Sequence, residues 1–268
     1  MREGVLDRLS LEGDRRKEEK AREKTLLGVS SSSLREFPFE KRLEIAQREG
    51  FRLMEINLNY DPLETVKPFK DYLSSAPLLI SIHSNHDRLN FSCSAESSLR
   101  ILEEEISLAE EIGASYYIFH VTKDGNLDEI IEFLKEVLPK NIPAIYENSG
   151  VGNGASEEDI EKILKTLNVG MNLDVGHLWR ALHNGSLKGG IQDFLRRFRK
   201  RIKYLHLHDN DGIHDHHWAI GRGSVPFEII LHELNLREVP LVIETRGSYE
   251  DVRISKEVLK KWITFSSP

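Results

Sequence analysis

Histidine, aspartate and glutamate residues recur at the ends of short apolar segments of this sequence. The segments LLISIHSN, YYIFHV and AIYENSG carry His83, His120 and Glu147 at or near their ends. The segments NLDVGH, YLHLHDN, HDHHW and LVIETR continue the pattern with Asp174, His177, His206, His208, Asp215, His217 and Glu244. Imidazole and carboxylate ligands without a thiolate suit zinc, manganese, iron, cobalt or magnesium, and the number of histidines favours zinc.

The apolar segments that carry these residues read as β-strands, whose interiors normally avoid acids and histidines. Buried acids and histidines that crowd together need a cation or a complete hydrogen-bond network to compensate them. A lone histidine at a strand end is usually a hydrogen-bonded core or rim residue. Because six of the eight predicted strands end in this way, we expect a divalent-metal site.

Two residues of the pattern are interpreted as substrate contacts. His206 and His208 are two apart on one strand and face the same way, so we expect one of them to bind the metal. The other histidine either supports a metal ligand or faces the substrate, and we interpret His208 as a substrate contact. Arg246 lies two residues beyond Glu244 and either holds a phosphate or carboxylate of the substrate or forms a salt bridge at the rim.

The elements that must position these residues alternate along the chain between short strands and amphipathic helices. The predicted strands are Thr25–Ser30, Phe51–Asn57, Leu78–His83, Ser115–Val121, Ile142–Glu147, Val169–Asp174, Ile202–His208 and Val239–Thr245. Eight such units over about 240 residues predict an α/β fold, a single (β/α)₈ TIM barrel. The carboxyl ends of all strands open onto one face of such a barrel, so the scattered polar residues would meet there.

A doubly wound open sheet is the competing fold. That fold usually has a glycine-rich turn after its first strand. Here the corresponding segment is the serine run Ser30–Ser33, without a G-x-G-x-x-G pattern. The barrel is therefore favoured.

Composition and length set the remaining expectations. Residues 1–24 carry 15 charges and are predicted to be a charged N-terminal extension, with the TIM-barrel catalytic domain spanning 25–268. This N-terminus is too charged for a secretory signal, and no apolar run approaches the length of a membrane span. The single cysteine, Cys93, excludes an intramolecular disulfide. We expect a cytoplasmic protein with no membrane contact, and its oligomeric state is open.

From about residue 25 to residue 262 the chain resembles the xylose isomerase-like TIM-barrel superfamily. That superfamily includes sugar-phosphate isomerases and epimerases, and the endonuclease IV enzymes (AP endonuclease family 2). The matching segments are IHSNHDRLN, FHVT, YENSG, LDVGH, HLHDNDGIHDHHWAIGRGSVPF and ETR. The resemblance implies a metal-dependent enzyme, but its two branches imply different reactions.

In the isomerase branch, the resemblance implies one divalent ion and a sugar or sugar-phosphate substrate. The residues that match its ligands are Glu147, Asp174, His206 and Glu244. Glu147 and Glu244 would transfer a proton on opposite faces of the substrate through a metal-stabilised enediolate. His177 and Arg246 would orient the substrate oxygens. The ion would be zinc, manganese, cobalt or magnesium.

In the endonuclease IV branch, the resemblance implies three zinc ions that share nine ligands, and all nine have a match. The first zinc would take His83, His120 and Glu147; the second would take Glu147, Asp174, His206 and Glu244; the third would take His177, Asp215 and His217. The reaction would be hydrolysis of a phosphoester in abasic-site DNA or in a smaller molecule.

Two segments depart from the endonuclease pattern. The first strand reads LLGVSSSS and lacks the G-x-H-x-S histidine, and the second ends in EINLNYD without an aromatic and basic loop for damaged DNA. The net charge of −7 also gives no overall attraction for nucleic acid. From the sequence we favour the isomerase or epimerase, with the endonuclease-like hydrolase as the alternative and one to three metal ions.

Overall fold

The structure is a computed structural model that describes residues 25–86, 89, 95–234, 236 and 239–265. The predicted N-terminal extension and Cys93 lie outside the described residues. In the part of the chain that the structure describes, no helix has the length and apolar character needed to cross a membrane.

Eight parallel strands form a closed barrel in which each strand pairs with the next along the chain. They are β1 Leu27–Ser30, β2 Leu53–Asn57, β3 Leu79–His83, β4 Tyr116–Phe119, β5 Ala144–Glu147, β6 Gly170–Asp174, β7 Ile202–Leu207 and β8 Leu241–Ile243. The first strand pairs with β2 on one side and with β8 on the other, which closes the sheet. The predicted (β/α)₈ fold is confirmed, although all eight strands are shorter than predicted.

In the described part of the chain, helices surround the barrel. They are α1 Phe39–Arg48, α2 Leu63–Val66, α3 Lys70–Ser74, α4 Ala95–Glu111, α5 Leu127–Val137, α6 Glu157–Leu167, α7 Val175–His183, α8 Ile191–Phe198, α9 Phe227–Glu233 and α10 Tyr249–Phe265. Short 3₁₀ helices span Ser31–Leu34 and Lys67–Phe69, so the serine run after β1 is helical rather than a phosphate-binding loop.

The two faces of each strand meet different surroundings, because side chains alternate along a strand. In β2, Met54 and Ile56 pack into the large apolar core between the barrel and the helices. Leu53 instead belongs to a small cluster of five buried residues, one each from β2, β4, β5, β7 and β8. Glu55 and Asn57 share the face of Leu53. The interior of the barrel therefore changes from apolar to polar toward the carboxyl ends of the strands.

Candidate metal centre

A cavity of about 160 Å³ lies at the carboxyl ends of the strands. The predicted site residues that line it are His83, His120, Glu147, His177, Asp215, His217, Glu244 and Arg246. The other three, Asp174, His206 and His208, have no exposed surface. Residues separated by more than 160 positions in the chain are thus brought to one end of the barrel. We call this group of side chains the mouth centre.

The first donor group of the mouth centre combines two strand-end histidines with Glu147. The Nε2 atom of His83 lies 3.2 Å from Nε2 of His120 and 3.3 Å from Oε2 of Glu147. The Nε2 atom of His120 lies 3.4 Å from the other oxygen of Glu147. Donors held by one tetrahedral zinc ion are separated by about 3.3–3.4 Å, given zinc–ligand distances of about 2.0–2.1 Å. The three side chains therefore have the spacing of a zinc site.

The second group surrounds His206 at the centre. Its Nδ1 atom lies 3.0 Å from Oε2 of Glu147, 3.3 Å from Oε2 of Glu244 and 3.9 Å from Oδ2 of Asp174. This Nδ1 is fully buried and has no hydrogen-bond partner among the described residues. A buried nitrogen directed at three carboxylates in this way fits a metal ligand, because an unpaired polar atom is otherwise costly.

The third group joins His177, Asp215 and His217. The Oδ1 atom of Asp215 lies 3.6 Å from Nε2 of His177, and its Oδ2 atom lies 3.2 Å from Nε2 of His217. The Nδ1 atoms of the two histidines instead face backbone carbonyls, those of Asn148 at 3.0 Å and Glu244 at 2.7 Å. If each Nδ1 carries the proton and donates it there, Nε2 is left free to bind a metal.

Glu147 connects the first group to the second. Its Oε2 atom faces His83 and His206, whereas its Oε1 atom faces His120 and also lies 3.4 Å from Nδ1 of His177. Asn172 donates a hydrogen bond of 2.8 Å to Oε2 and fixes the carboxylate. Glu147 thus contacts histidines of both groups, and its role as a bridging metal ligand stays a prediction.

Charge balance in the mouth centre depends on pairing between acids and imidazoles. Burial raises the pKa of Glu147, but the charges of His120 and His206 outweigh it and hold that pKa well below its ordinary value. Burial lowers the pKa of His83, but the hydrogen bond and charge of Glu147 outweigh it and raise that pKa to about 9. Metal ligands must be deprotonated, so a bound cation would replace the proton as the compensating charge.

Glu55, which was not assigned a role from the sequence, supports the central histidine. Its Oε2 atom accepts hydrogen bonds from Nε2 of His206 at 2.8 Å and from the hydroxyl of Tyr204 at 3.0 Å. Glu55 has no exposed surface. Its carboxylate fixes the proton of His206 on Nε2 and leaves Nδ1 for the metal. The sequence signal that could have identified Glu55 is an acidic residue in the middle of the predicted strand segment LMEIN.

His86, whose position in the sequence indicates no strand end, lines the cavity beside His120. The centroids of these two rings are 4.2 Å apart. The Nδ1 atom of His86 lies 2.9 Å from Nδ2 of Asn59. His86 is therefore a further imidazole at the edge of the first donor group.

The two residues predicted to contact substrate lie in different surroundings. The Nε2 atom of His208 lies 3.0 and 3.1 Å from the two oxygens of Asp174, and its ring stacks on His217 with centroids 3.7 Å apart. His208 is thus placed to orient the carboxylate of Asp174. The contact of His208 with substrate stays a prediction. Arg246 lines the cavity, 3.5 Å from Asp215 and above the ring of Tyr60.

Comparison with known proteins gives the family. The family model of the xylose isomerase-like TIM barrel matches residues 43–264. This chain belongs to the xylose isomerase-like TIM-barrel family. The resemblance predicted from the sequence motifs is therefore confirmed.

Individual relatives are distant. A protein of Aquifex aeolicus (strain VF5), named probable endonuclease 4, is 26% identical over 212 residues, which cover 68% of this chain and 73% of the relative. A D-tagatose 3-epimerase-like protein has a similar structure, with a TM-score of 0.72, 22% identity, and coverage of 90% of this chain and 97% of the other. The IOLI protein, solved with a zinc atom, has a TM-score of 0.70 and 17% identity over 90% of this chain and 98% of the other. At these identities the structural likenesses concern the fold.

Proposed function

We propose that this protein is a zinc-dependent phosphoester hydrolase that acts on abasic-site DNA or on a smaller phosphate ester. The observation that carries the proposal is the arrangement of nine donor side chains in three groups, two of which share Glu147. From the sequence alone the isomerase is favoured, because DNA-facing motifs are absent. The geometry of the mouth centre supports the reverse order.

A single-metal isomerase would need the central set around His206 and the orienting residues His177 and Arg246. It would not need the other members of the outer groups, which are His83, His120, Asp215 and His217. Yet Nε2 of His83 and Nε2 of His120 lie 3.2 Å apart. Asp215 and His217 likewise face each other at 3.2 Å, with His217 almost fully buried. Desolvating these side chains is costly unless ions or hydrogen bonds compensate them, which favours a centre with several metals. The relative from Aquifex aeolicus, named as an endonuclease, points the same way.

The residues around the cavity fit a phosphate group. The nine donors would hold the ions, and bound zinc supplies Lewis-acid stabilisation of the charge that develops on phosphate oxygens. Lys123, Arg180 and Arg246 also line the cavity and add positive charge at its rim. These cations orient an anionic substrate and stabilise its transition state electrostatically. With metal bound, the ions and the rim cations together would make the mouth locally positive, despite the net charge of −7.

The proposal is tested on the zinc-loaded protein with two substrates, an abasic-site oligonucleotide and bis-p-nitrophenyl phosphate. We expect zinc-dependent cleavage of at least one of them. Asp215→Asn is expected to lower the rate at least about 100-fold, because the third donor group loses a charged ligand. The control Glu104→Gln, an exposed glutamate paired with Lys67, should leave the rate unchanged. No cleavage of either substrate by protein that holds three zinc ions would contradict the proposal.

A sugar or sugar-phosphate isomerase remains the second candidate, and the small cavity favours it. A volume of about 160 Å³ suits a small molecule better than the backbone of duplex DNA. Oε2 atoms of Glu147 and Glu244 lie 3.0 and 3.3 Å from Nδ1 of His206, so both carboxylates are close enough to act on one substrate carbon. Under this candidate, deuterium from solvent enters a sugar substrate, and Glu244→Gln abolishes the exchange. An absence of exchange across a sugar panel would exclude it.

A further inference from the structure

The loop that follows β7 carries three possible metal ligands that the mouth centre does not use. The Oδ2 atom of Asp211 lies 3.1 Å from Nδ1 of His214 and 3.2 Å from Nε2 of His216. These three ligand atoms all lie within 4.8 Å of one another. Two imidazole nitrogens thus converge on one carboxylate oxygen outside the cavity.

We propose that Asp211, His214 and His216 form a second, peripheral site for a divalent transition-metal ion, with zinc as the preferred ion. The separations of 3.1 and 3.2 Å are close to the distance of about 3.3–3.4 Å between two ligands of a tetrahedral zinc ion. Two imidazoles with one carboxylate also form a ligand set that binds transition metals and leaves positions open for water.

The carboxylate of the peripheral site is held in place before any ion binds. The Oδ1 atom of Asp211 accepts hydrogen bonds from the backbone N–H groups of Ile213 at 2.8 Å and His214 at 2.7 Å. These bonds leave Oδ2 directed at the two imidazoles. They also keep the pKa of Asp211 below its ordinary value, first through the N–H of His214 and then through its imidazole, so the group is ionised.

The imidazole of His216 is also fixed. Its ring lies parallel to that of Trp218, with centroids 4.0 Å apart and an angle of 5° between the planes. This stacking restricts rotation of His216 and so lowers the entropy cost of binding. It also places an intrinsic fluorophore directly beside the proposed site.

Successive residues from 214 to 217 belong alternately to the peripheral site and to the mouth centre. Asp215 and His217 are directed into the mouth centre, with His217 only 1% exposed. The side chain of His214 is 67% exposed and that of Asp211 is 34% exposed, so solvent reaches the peripheral site directly. We therefore expect it to bind more weakly than the mouth centre and to lose its ion during exhaustive dialysis.

The test is a cobalt titration of dialysed holoprotein, followed by visible absorption and by tryptophan fluorescence. Zinc in the filtrate is measured at the same time to show that cobalt adds to the protein and does not replace mouth zinc. We expect one added equivalent per chain and quenching of Trp218. The double variant Asp211→Asn with His214→Gln should weaken this binding at least tenfold. The asparagine amide at position 211 keeps an acceptor oxygen for the backbone N–H groups of the loop but removes the negative charge. The loop is therefore expected to keep its conformation.

Two further variants separate the peripheral site from the mouth centre. His232→Gln removes an exposed histidine from α9 and should bind cobalt like the wild type. His83→Ala should lose zinc from the mouth centre yet keep the fluorescence quenching. The proposal is overturned if the wild type takes up no added cobalt, or if the Asp211/His214 double variant binds it equally well. In that case the three side chains only hydrogen-bond to each other, whatever the outcome for the proposed hydrolase.

Discussion

Four imidazoles of the mouth centre use one nitrogen to contact the protein scaffold and turn the other toward an acidic residue of the centre; they are His83, His177, His206 and His217. His83 illustrates the arrangement, since its Nδ1 atom lies 3.1 Å from the carbonyl oxygen of Ser84 while Nε2 faces Glu147. At His206 the scaffold contact is stronger, because the acceptor is the carboxylate of Glu55. Contacts of this kind fix the ring orientation and raise the basicity of the free nitrogen.

Glu55→Gln tests this scaffold contact. The substitution keeps the size of the side chain but removes its charge. The Nδ1 atom of His206 then becomes less basic and a weaker metal ligand. We expect zinc affinity to fall about 10- to 100-fold, measured by competition with a chelator, while the barrel remains folded. Glu104→Gln is the matched control. Unchanged zinc affinity in Glu55→Gln would show that the central site does not depend on this contact.

At the scale of elements, the junction between β6 and α7 carries two of the proposed metal ligands, Asp174 and His177. Asp174 ends the strand and caps the helix, because its Oδ1 atom accepts a hydrogen bond of 2.7 Å from the backbone N–H of His177. One turn of helix therefore sets the distance between these two side chains. Gly176 lies between them, and a Cβ atom there would meet His208 at 2.0 Å.

Gly176→Ala tests the packing of this junction. Alanine favours a helix by about 1 kcal/mol over glycine, but the new methyl group would displace the buried ring of His208. We expect a net loss of about 1–3 kcal/mol in the free energy of unfolding, measured in urea, together with weaker zinc binding.

The control for this experiment is Gly190→Ala before α8, where a Cβ atom meets nothing within 4 Å. It should cost less than about 1 kcal/mol. Equal losses in the free energy of unfolding at the two positions would mean that the contact between residue 176 and His208 does not determine the effect.

The strands and their polar ends were predictable from the sequence because both signals are local. A short apolar run that ends in an acid or a histidine can be recognised as a strand with a polar end from neighbouring residues alone. The surroundings of His208 were not predictable in this way, because β7 ends at Leu207 and strict alternation no longer sets the direction of the next side chain. Asp215 and His217 follow on a loop, where spacing gives no direction at all.

Glu55 shows a second limit of the sequence. Its place inside the barrel follows from the alternation in β2, but its partner His206 is 151 residues away. Only the closure of the barrel brings these strands to a common interior. A pairing of this kind needs the register of several strands, which one sequence does not supply.

At the scale of the whole molecule, the closed barrel brings the two ends of the described chain together. Beyond the pairing of β1 with β8, the end of α1 is joined to α10. Lys256 donates to the carboxylate of Glu49 at 2.8 Å, and the hydroxyl of Tyr249 donates to its other oxygen. The hydrogen bond from Lys256, followed by that from Tyr249, lowers the pKa of Glu49 below its ordinary value.

This pairing predicts a pH dependence of stability. Because the folded-state pKa of Glu49 is depressed, its contribution is present above the unfolded glutamate pKa of about 4.3 and is lost as the pH falls through the folded value. Glu49→Gln should therefore be less stable than the wild type at pH 7, and the difference should shrink at acid pH. Unfolding curves over a pH series measure it, with the exposed Glu64→Gln as the control. A difference that stays constant with pH would refute the assignment.

The number of metal ions is the property of the whole molecule on which the account depends. Mass spectrometry of the purified protein after exhaustive dialysis gives the moles of each metal per chain. Three donor groups around Glu147 predict close to three zinc ions per chain. A single ion of any metal, or no metal, would contradict the multi-metal centre and the hydrolase proposed from it.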